Sequence, residues 1–114
     1  MSQQASIRHH GPIAIVDLSG RITLSDGAGT VRNAVKKLLQ DGHKRILLNL
    51  SDVTYMDSAG LGEMAAAYIT VSNIGGQLKL VHASARVESL LQVTKLFTVL
   101  VAFDDEESAL AAMA

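Results

Sequence analysis

Apolar residues follow a period of two at the start of the chain. The segments ASIRH (5–9) and IAIVDLSG (13–20) alternate in a composition rich in β-formers, which predicts two strands. Gly11 and Pro12 lie between them and indicate a tight turn. The first two elements are therefore predicted to form a β-hairpin.

The pattern then changes to a helical period. After the turn residues Ser25, Asp26, Gly27 and Gly29, apolar positions recur at i, i+3, i+4, i+7 and i+8 from Val31 to Leu39, as on a helix with one buried face. Three further helices are predicted at 58–74, in SARVESLLQVTKL (84–96) with Ser84 as N-cap, and in DDEESALAAM (104–113), where Asp104 and Glu107 resemble a capping box.

Short apolar runs separate these helices. RILLNL (45–50) suits a strand covered on both faces, with 51–57 as its connection to the next helix. QLKLV (77–81) and TVLVAF (98–103) are the remaining predicted strands. The order β-β-α-β-α-β-α-β-α predicts an α/β fold over residues 1–114: one domain with a mostly parallel central sheet, an N-terminal β-hairpin and about four flanking helices.

Composition narrows the possible functions. A chain of 114 residues that is 48% hydrophobic and 18% charged suits one globular core, and a net charge of −1 argues against a surface for nucleic acid. The absence of cysteine excludes disulfides and thiolate chemistry. No segment reaches the roughly 20 apolar residues that span a bilayer, and no signal peptide is recognisable, so we expect a cytoplasmic protein without a membrane partner.

The stretch YMDSAGLGEM (55–64) concentrates the candidate chemistry. Asp57 and Ser58 stand where a strand passes into a helix, a position at which free N–H groups and the helix dipole favour an anion. A phosphoryl group on Ser58 would add about 1.5 to 2 negative charges there. The same residues are also common helix caps, and spacing alone favours that simpler structural role. The stretch is neither a Gly-x-Ser-x-Gly elbow nor a P-loop.

The helix that follows is apolar or small on nearly every side, in LGEMAAAYITVSNI (61–74). Such a helix is either deeply buried or keeps apolar surface for a partner. Because one outer helix of a small domain is hard to bury completely, we expect a partner-binding surface on it. The four histidines lie in different elements without the spacing of metal ligands, so no metal or cofactor is expected.

At this point the sequence resembles a known family. ILLNLSDVTYMDSAGLGEM (46–64) is similar to the signature of the STAS domains of anti-sigma factor antagonists, in which an apolar strand and a short loop lead into Asp-Ser-Ser/Ala-Gly-Leu-Gly. VDLSGRIT, GGQLKLVHAS and VESLLQVTKLFTVLVAFDDEESAL resemble the family's other segments, in the same order. The resemblance therefore covers almost the whole chain.

The resemblance implies a set of site residues. Ser58 matches the serine that such antagonists present to a kinase, and Ala59 stands where a second serine is common. Thr23 stands where many antagonists carry Asp. The implied partner-binding set is Asp57, Ser58, Ala59, Gly60, Leu61, Gly62, Met64, Thr23 and Ser25.

The resemblance also implies a mechanism, partner switching in bacterial transcription regulation. The unphosphorylated antagonist binds an anti-sigma factor that is also a serine kinase; phosphorylation ends the binding and a PP2C-type phosphatase restores it. The chain would then be a kinase substrate and no enzyme. Two alternatives stay open: a STAS subunit that regulates an ABC-type lipid or organic-ion transporter, and a small enzyme or nucleotide-binding module, which would need a pocket that the sequence does not suggest.

Overall fold

The computed structural model describes residues 4–25 and 27–114. Asp26, one of the predicted turn residues, lies outside them. The strands are β1 (Ala5–His10), β2 (Ile13–Ile22), β3 (Arg45–Met56), β4 (Gln77–Val81) and β5 (Ala102–Phe103). The helices are α1 (Ala28–Gln40), α2 (Ser58–Asn73), α3 (Ala85–Thr94) and α4 (Glu106–Met113), with a short 3-10 helix at Leu96–Thr98.

The strands form one sheet in the order β1-β2-β3-β4-β5. β1 pairs with β2 antiparallel, and every other pairing is parallel. The predicted α/β fold, with its N-terminal hairpin and four helices, is therefore confirmed. None of the described helices is long and apolar enough to cross a bilayer.

The alternation along the central strands sorts their side chains between two layers. Leu48 of β3 packs in the larger core with α1, α2 and α3, while its neighbour Leu47 packs in a smaller core with α4. Both side chains are completely buried, as expected for a parallel strand covered on both faces. The helix that begins at Ser58 therefore lies on the same face of the sheet as α1 and α3.

Three predicted element boundaries were wrong. β3 extends to Met56 instead of ending at Leu50, because the second half of β2 continues beside it and supplies ladder partners as far as the pair Ile22 and Met56. The predicted strand 98–103 is reduced to two residues, because Lys95 adopts a left-handed conformation (φ 63°) and a 3-10 turn follows. The N-cap of α4 is Asp105, not Asp104.

Arg8 links the hairpin to α4. Its guanidinium lies 2.6 Å from a carboxylate oxygen of Asp17 on β2 and 2.6 Å from one of Glu106 at the start of α4. Asn49 of β3 donates a further hydrogen bond to Asp17, at 2.7 Å. The hydrogen bonds from Arg8 lower the pKa of Asp17 and of Glu106, so both carboxylates stay ionised in the folded protein.

Candidate functional site

Asp57 organises the junction between β3 and α2. It is the N-cap of α2, in extended conformation, and its Oδ1 accepts a hydrogen bond of 2.9 Å from the backbone N–H of Gly60. Its Oδ2 accepts a second, of 3.2 Å, from the backbone N–H of Leu24 in the β2–α1 turn. These N–H donors, Gly60 first, hold the pKa of Asp57 below its usual value. One carboxylate therefore caps the helix and ties a second loop to it.

Ser58 is the first residue of α2 and is exposed. The first turn of this helix contains no acidic residue beyond its cap Asp57, so an anion on Ser58 would meet the positive end of the dipole beside that one carboxylate. The capping role that spacing alone suggested belongs to Asp57, which leaves the Ser58 hydroxyl at the surface. The side chain of Ala59 beside it is half-buried.

The turn between β2 and α1 lies against this junction. Thr23 is buried and forms an isolated β-bridge with Gly27, so it holds the turn together from inside. Its part in partner contact stays a prediction. Leu24 is 80% exposed, although it is a large apolar residue, and Ser25 is exposed as well. Leu24 was missed from the sequence; the only signal was an isolated leucine inside a polar turn.

The first turns of α2 divide into buried and exposed positions. Leu61 and Met64 are 1% and 0% exposed, so both side chains belong to the core, and their contact with a partner stays a prediction. Gly60 is also buried: a Cβ on it would lie 2.1 Å from the carbonyl oxygen of Ile22, so only glycine lets the helix approach β2. Gly62 faces open space, with nothing within 4 Å of an added Cβ. Of these four residues, Gly62 alone has its side-chain position open for contact.

A cationic cluster at the end of β3 was also missed. Tyr55 lies between two guanidinium groups, with that of Arg21 at 4.9 Å and that of Arg86 at 4.3 Å from its ring centroid. These residues come from β2, β3 and α3, so no local sequence pattern connects them. The cluster stands immediately before the Asp57 and Ser58 junction.

Two of the four histidines, His9 and His43, lie close together. The rings of His9 and His43 are 4.8 Å apart between centroids, tilted by 43°. Within the part of the chain that the structure describes, no group of three or more His, Cys, Asp or Glu side chains is arranged to hold a metal ion.

Taken together, these features define a class of protein. It is a small α/β domain in which an exposed serine begins a helix that packs on the sheet, and the Asp before that serine caps the helix. Comparison with known proteins gives the family. The STAS domain family matches residues 4–109, and the chain belongs to it. An anti-sigma F factor antagonist of Paenibacillus polymyxa is 30% identical over 111 residues, which cover 96% of this chain and 94% of that protein.

Solved structures share the fold at lower identity. An anti-sigma factor antagonist from Mycobacterium paratuberculosis superposes with a TM-score of 0.83 at 21% identity, covering 96% of this chain and 92% of that one. The Bacillus cell fate determinant SpoIIAA in its phosphorylated form gives a TM-score of 0.74 at 17% identity, covering 96% and 99%. The fold predicted from the STAS resemblance is thereby confirmed.

Proposed function

We propose that this protein is an anti-sigma factor antagonist that works by partner switching through Ser58. The unphosphorylated chain binds an anti-sigma factor that is also a serine kinase, and so releases a sigma factor. Phosphorylation of Ser58 ends this binding, and a PP2C-type phosphatase restores it. The observation that carries the proposal is the exposed Ser58 hydroxyl at the start of α2, beside a turn that presents Leu24.

The contact surface follows from the exposed residues of the junction. Leu24 and Ser25 project from a turn that Asp57 ties to the helix, and Ser58 and Gly62 lie on the helix itself. Leu24 supplies an apolar anchor, and Gly62 allows close approach of a partner's backbone. Leu61 and Met64 support this surface from the core, and Thr23 supports its turn.

Phosphorylation of Ser58 weakens binding to the anti-sigma factor and leaves the fold intact. An anion near a helix N-terminus is stabilised by about 0.3 to 1 kcal/mol, so the folded domain tolerates it. A charge brought against an acidic or apolar partner surface costs several kcal/mol, and about 1.4 kcal/mol is a tenfold change in affinity. The structure of SpoIIAA in its phosphorylated form, which has the same fold, supports this argument.

The direct test is to incubate the protein with ATP and each purified anti-sigma factor kinase of the source organism, then locate phosphate by mass spectrometry. We expect phosphate on Ser58 in the wild type and none in Ser58→Ala. Ser72→Ala is the matched control, since Ser72 is an exposed serine at the opposite end of α2, and it should be phosphorylated like wild type. If the protein bound one of these kinases and still carried no phosphate on Ser58, the switch would be contradicted. If it bound none of them, the transport-associated alternative would be favoured.

A further inference from the structure

Two arginines and a tyrosine form a stack beside the junction. Arg21 and Tyr55 are cross-strand partners on β2 and β3, and the guanidinium of Arg21 lies 4.9 Å from the ring centroid. Arg86, in the first turn of α3, approaches the same ring at 4.3 Å. An aromatic ring attracts a cation placed over its face, so Tyr55 holds two positive charges close together.

Arg86 is fixed in place by hydrogen bonds. Its Nε donates to the carbonyl oxygen of Met56 at 2.9 Å, and its Nη2 donates to the Tyr55 hydroxyl at 2.8 Å. Met56 stands two positions before Ser58. The stack is therefore anchored to the end of the strand that leads into the candidate phosphorylation site.

No salt bridge of the described residues joins a carboxylate to the stack. Among residues 4–25 and 27–114, the arginines in salt bridges are Arg8 and Arg32, and neither belongs to the stack. The adjacent acid, Asp57, directs its two oxygens to the N–H groups of Gly60 and Leu24. Both Arg21 and Arg86 are exposed, and a guanidinium has five donors, of which Arg86 uses two in these hydrogen bonds.

We propose that the Arg21–Tyr55–Arg86 stack is a docking site for an acidic side chain of the anti-sigma factor, and that it selects among such partners by charge. This inference rests on the proposed function. Guanidinium groups bind carboxylates through paired hydrogen bonds, and a fixed guanidinium loses less freedom on binding. The charge of the stack contrasts with the overall net charge of −1, so attraction for an acidic group is local to this end of the sheet.

The test compares charge variants for binding to the purified anti-sigma factor kinases at low and high salt. Arg21→Gln is the main variant, because the described contact of its side chain is with the Tyr55 ring. Arg86→Gln is the second, and Lys44→Gln is the control, an exposed cation next to the opposite end of β3. Thermal unfolding of each variant shows whether the fold is kept.

We expect Arg21→Gln to weaken binding about two- to fivefold at low salt, the size of an exposed ion pair, and Arg21→Glu to weaken it by roughly tenfold or more. The difference from wild type should shrink at high salt, while Lys44→Gln binds like wild type. Equal affinity and equal salt dependence in wild type, Arg21→Gln and Arg21→Glu would overturn the docking site while leaving the proposed function intact. If wild type bound none of the kinases, the proposed function and this inference would both be lost.

Discussion

The carboxylate of Asp57 accepts a hydrogen bond from the backbone N–H of Leu24, 3.2 Å away, and thereby joins the β2–α1 turn to the start of α2. The two joined residues are 33 positions apart in sequence, and exposed residues stand on both segments, Leu24 and Ser25 on the turn and Ser58 on the helix. The acid before Ser58 is thus a structural tie as well as a helix cap.

This tie should depend on pH. The pKa of Asp57 lies below its usual value because N–H groups donate to the ionised form, so its contribution to stability is present above about pH 4 and is lost as the pH falls through the lowered pKa. We expect Asp57→Asn to unfold at lower urea concentration than wild type at pH 7, with the difference shrinking in acid. Asp52→Asn, at an exposed carboxylate of β3, is the control. A difference that stayed constant across the pH series would show that ionisation of Asp57 does not matter.

Substitutions of Ser58 should separate binding from stability. We expect Ser58→Asp to weaken binding to the anti-sigma factor because it places a charge at the contact surface, and Ser58→Ala to bind like wild type. Both should melt within a few degrees of wild type, since Ser58 is exposed and Asp57 supplies the cap. Calorimetric titration and thermal unfolding check these outcomes. Unchanged affinity in both variants for every candidate partner would exclude a role for this serine in binding.

The glycines of α2 provide a matched pair. Gly60→Ala should destabilise the protein, because its Cβ would meet the carbonyl oxygen of Ile22 at 2.1 Å. Gly62→Ala should stabilise it by roughly 0.5 to 1 kcal/mol, because its Cβ meets open space in a helix and alanine is the better helix former. Urea unfolding measures both changes. Effects of the same sign would contradict the close approach of α2 to β2 at Gly60.

Charge placed on the two faces of α2 should have different effects. Leu61→Glu and Met64→Glu are expected to prevent folding, because each would put an unpaired carboxylate into the core. Ile69→Glu, at a position of the same helix that is 57% exposed, should fold normally. Circular dichroism and thermal unfolding distinguish them. If Leu61→Glu unfolded cooperatively near the wild-type temperature, the Leu61 side chain would have to lie at the surface and not in the core.

The exposed leucine of the turn should matter for binding and little for stability. We expect Leu24→Ser to weaken binding to the anti-sigma factor by about tenfold, the loss of one buried apolar side chain, while the melting temperature stays near that of wild type. Val93→Ser is the control, because Val93 is similarly exposed on α3, away from Ser58. Equal losses of affinity in both variants would point to general apolar attraction in place of a defined site.

Local patterns predicted most of the elements but not their ends. The amphipathic period of α1 and the Ser84 cap of α3, which accepts a hydrogen bond from the N–H of Val87, were predicted correctly. The length of β3 was not, because it depends on ladder partners from the second half of β2. Likewise, the last strand was shortened by the backbone at Lys95, whose left-handed conformation has no signal in side-chain hydropathy.

The sequence by itself determined the order of strands and helices and the two-layered alternation of the central strands, since each is encoded by neighbouring residues. The choice of Ser58 as the candidate switch came from the resemblance to the STAS signature, because spacing alone favoured a helix cap. The tertiary structure decided which side chains surround that serine. Leu61, Met64 and Thr23 are buried there, and Leu24 is exposed, because the packing of α2 and of the β2–α1 turn against the sheet sets their accessibility. The Arg21–Tyr55–Arg86 stack also exists only in the folded chain, because its three residues meet from separate elements.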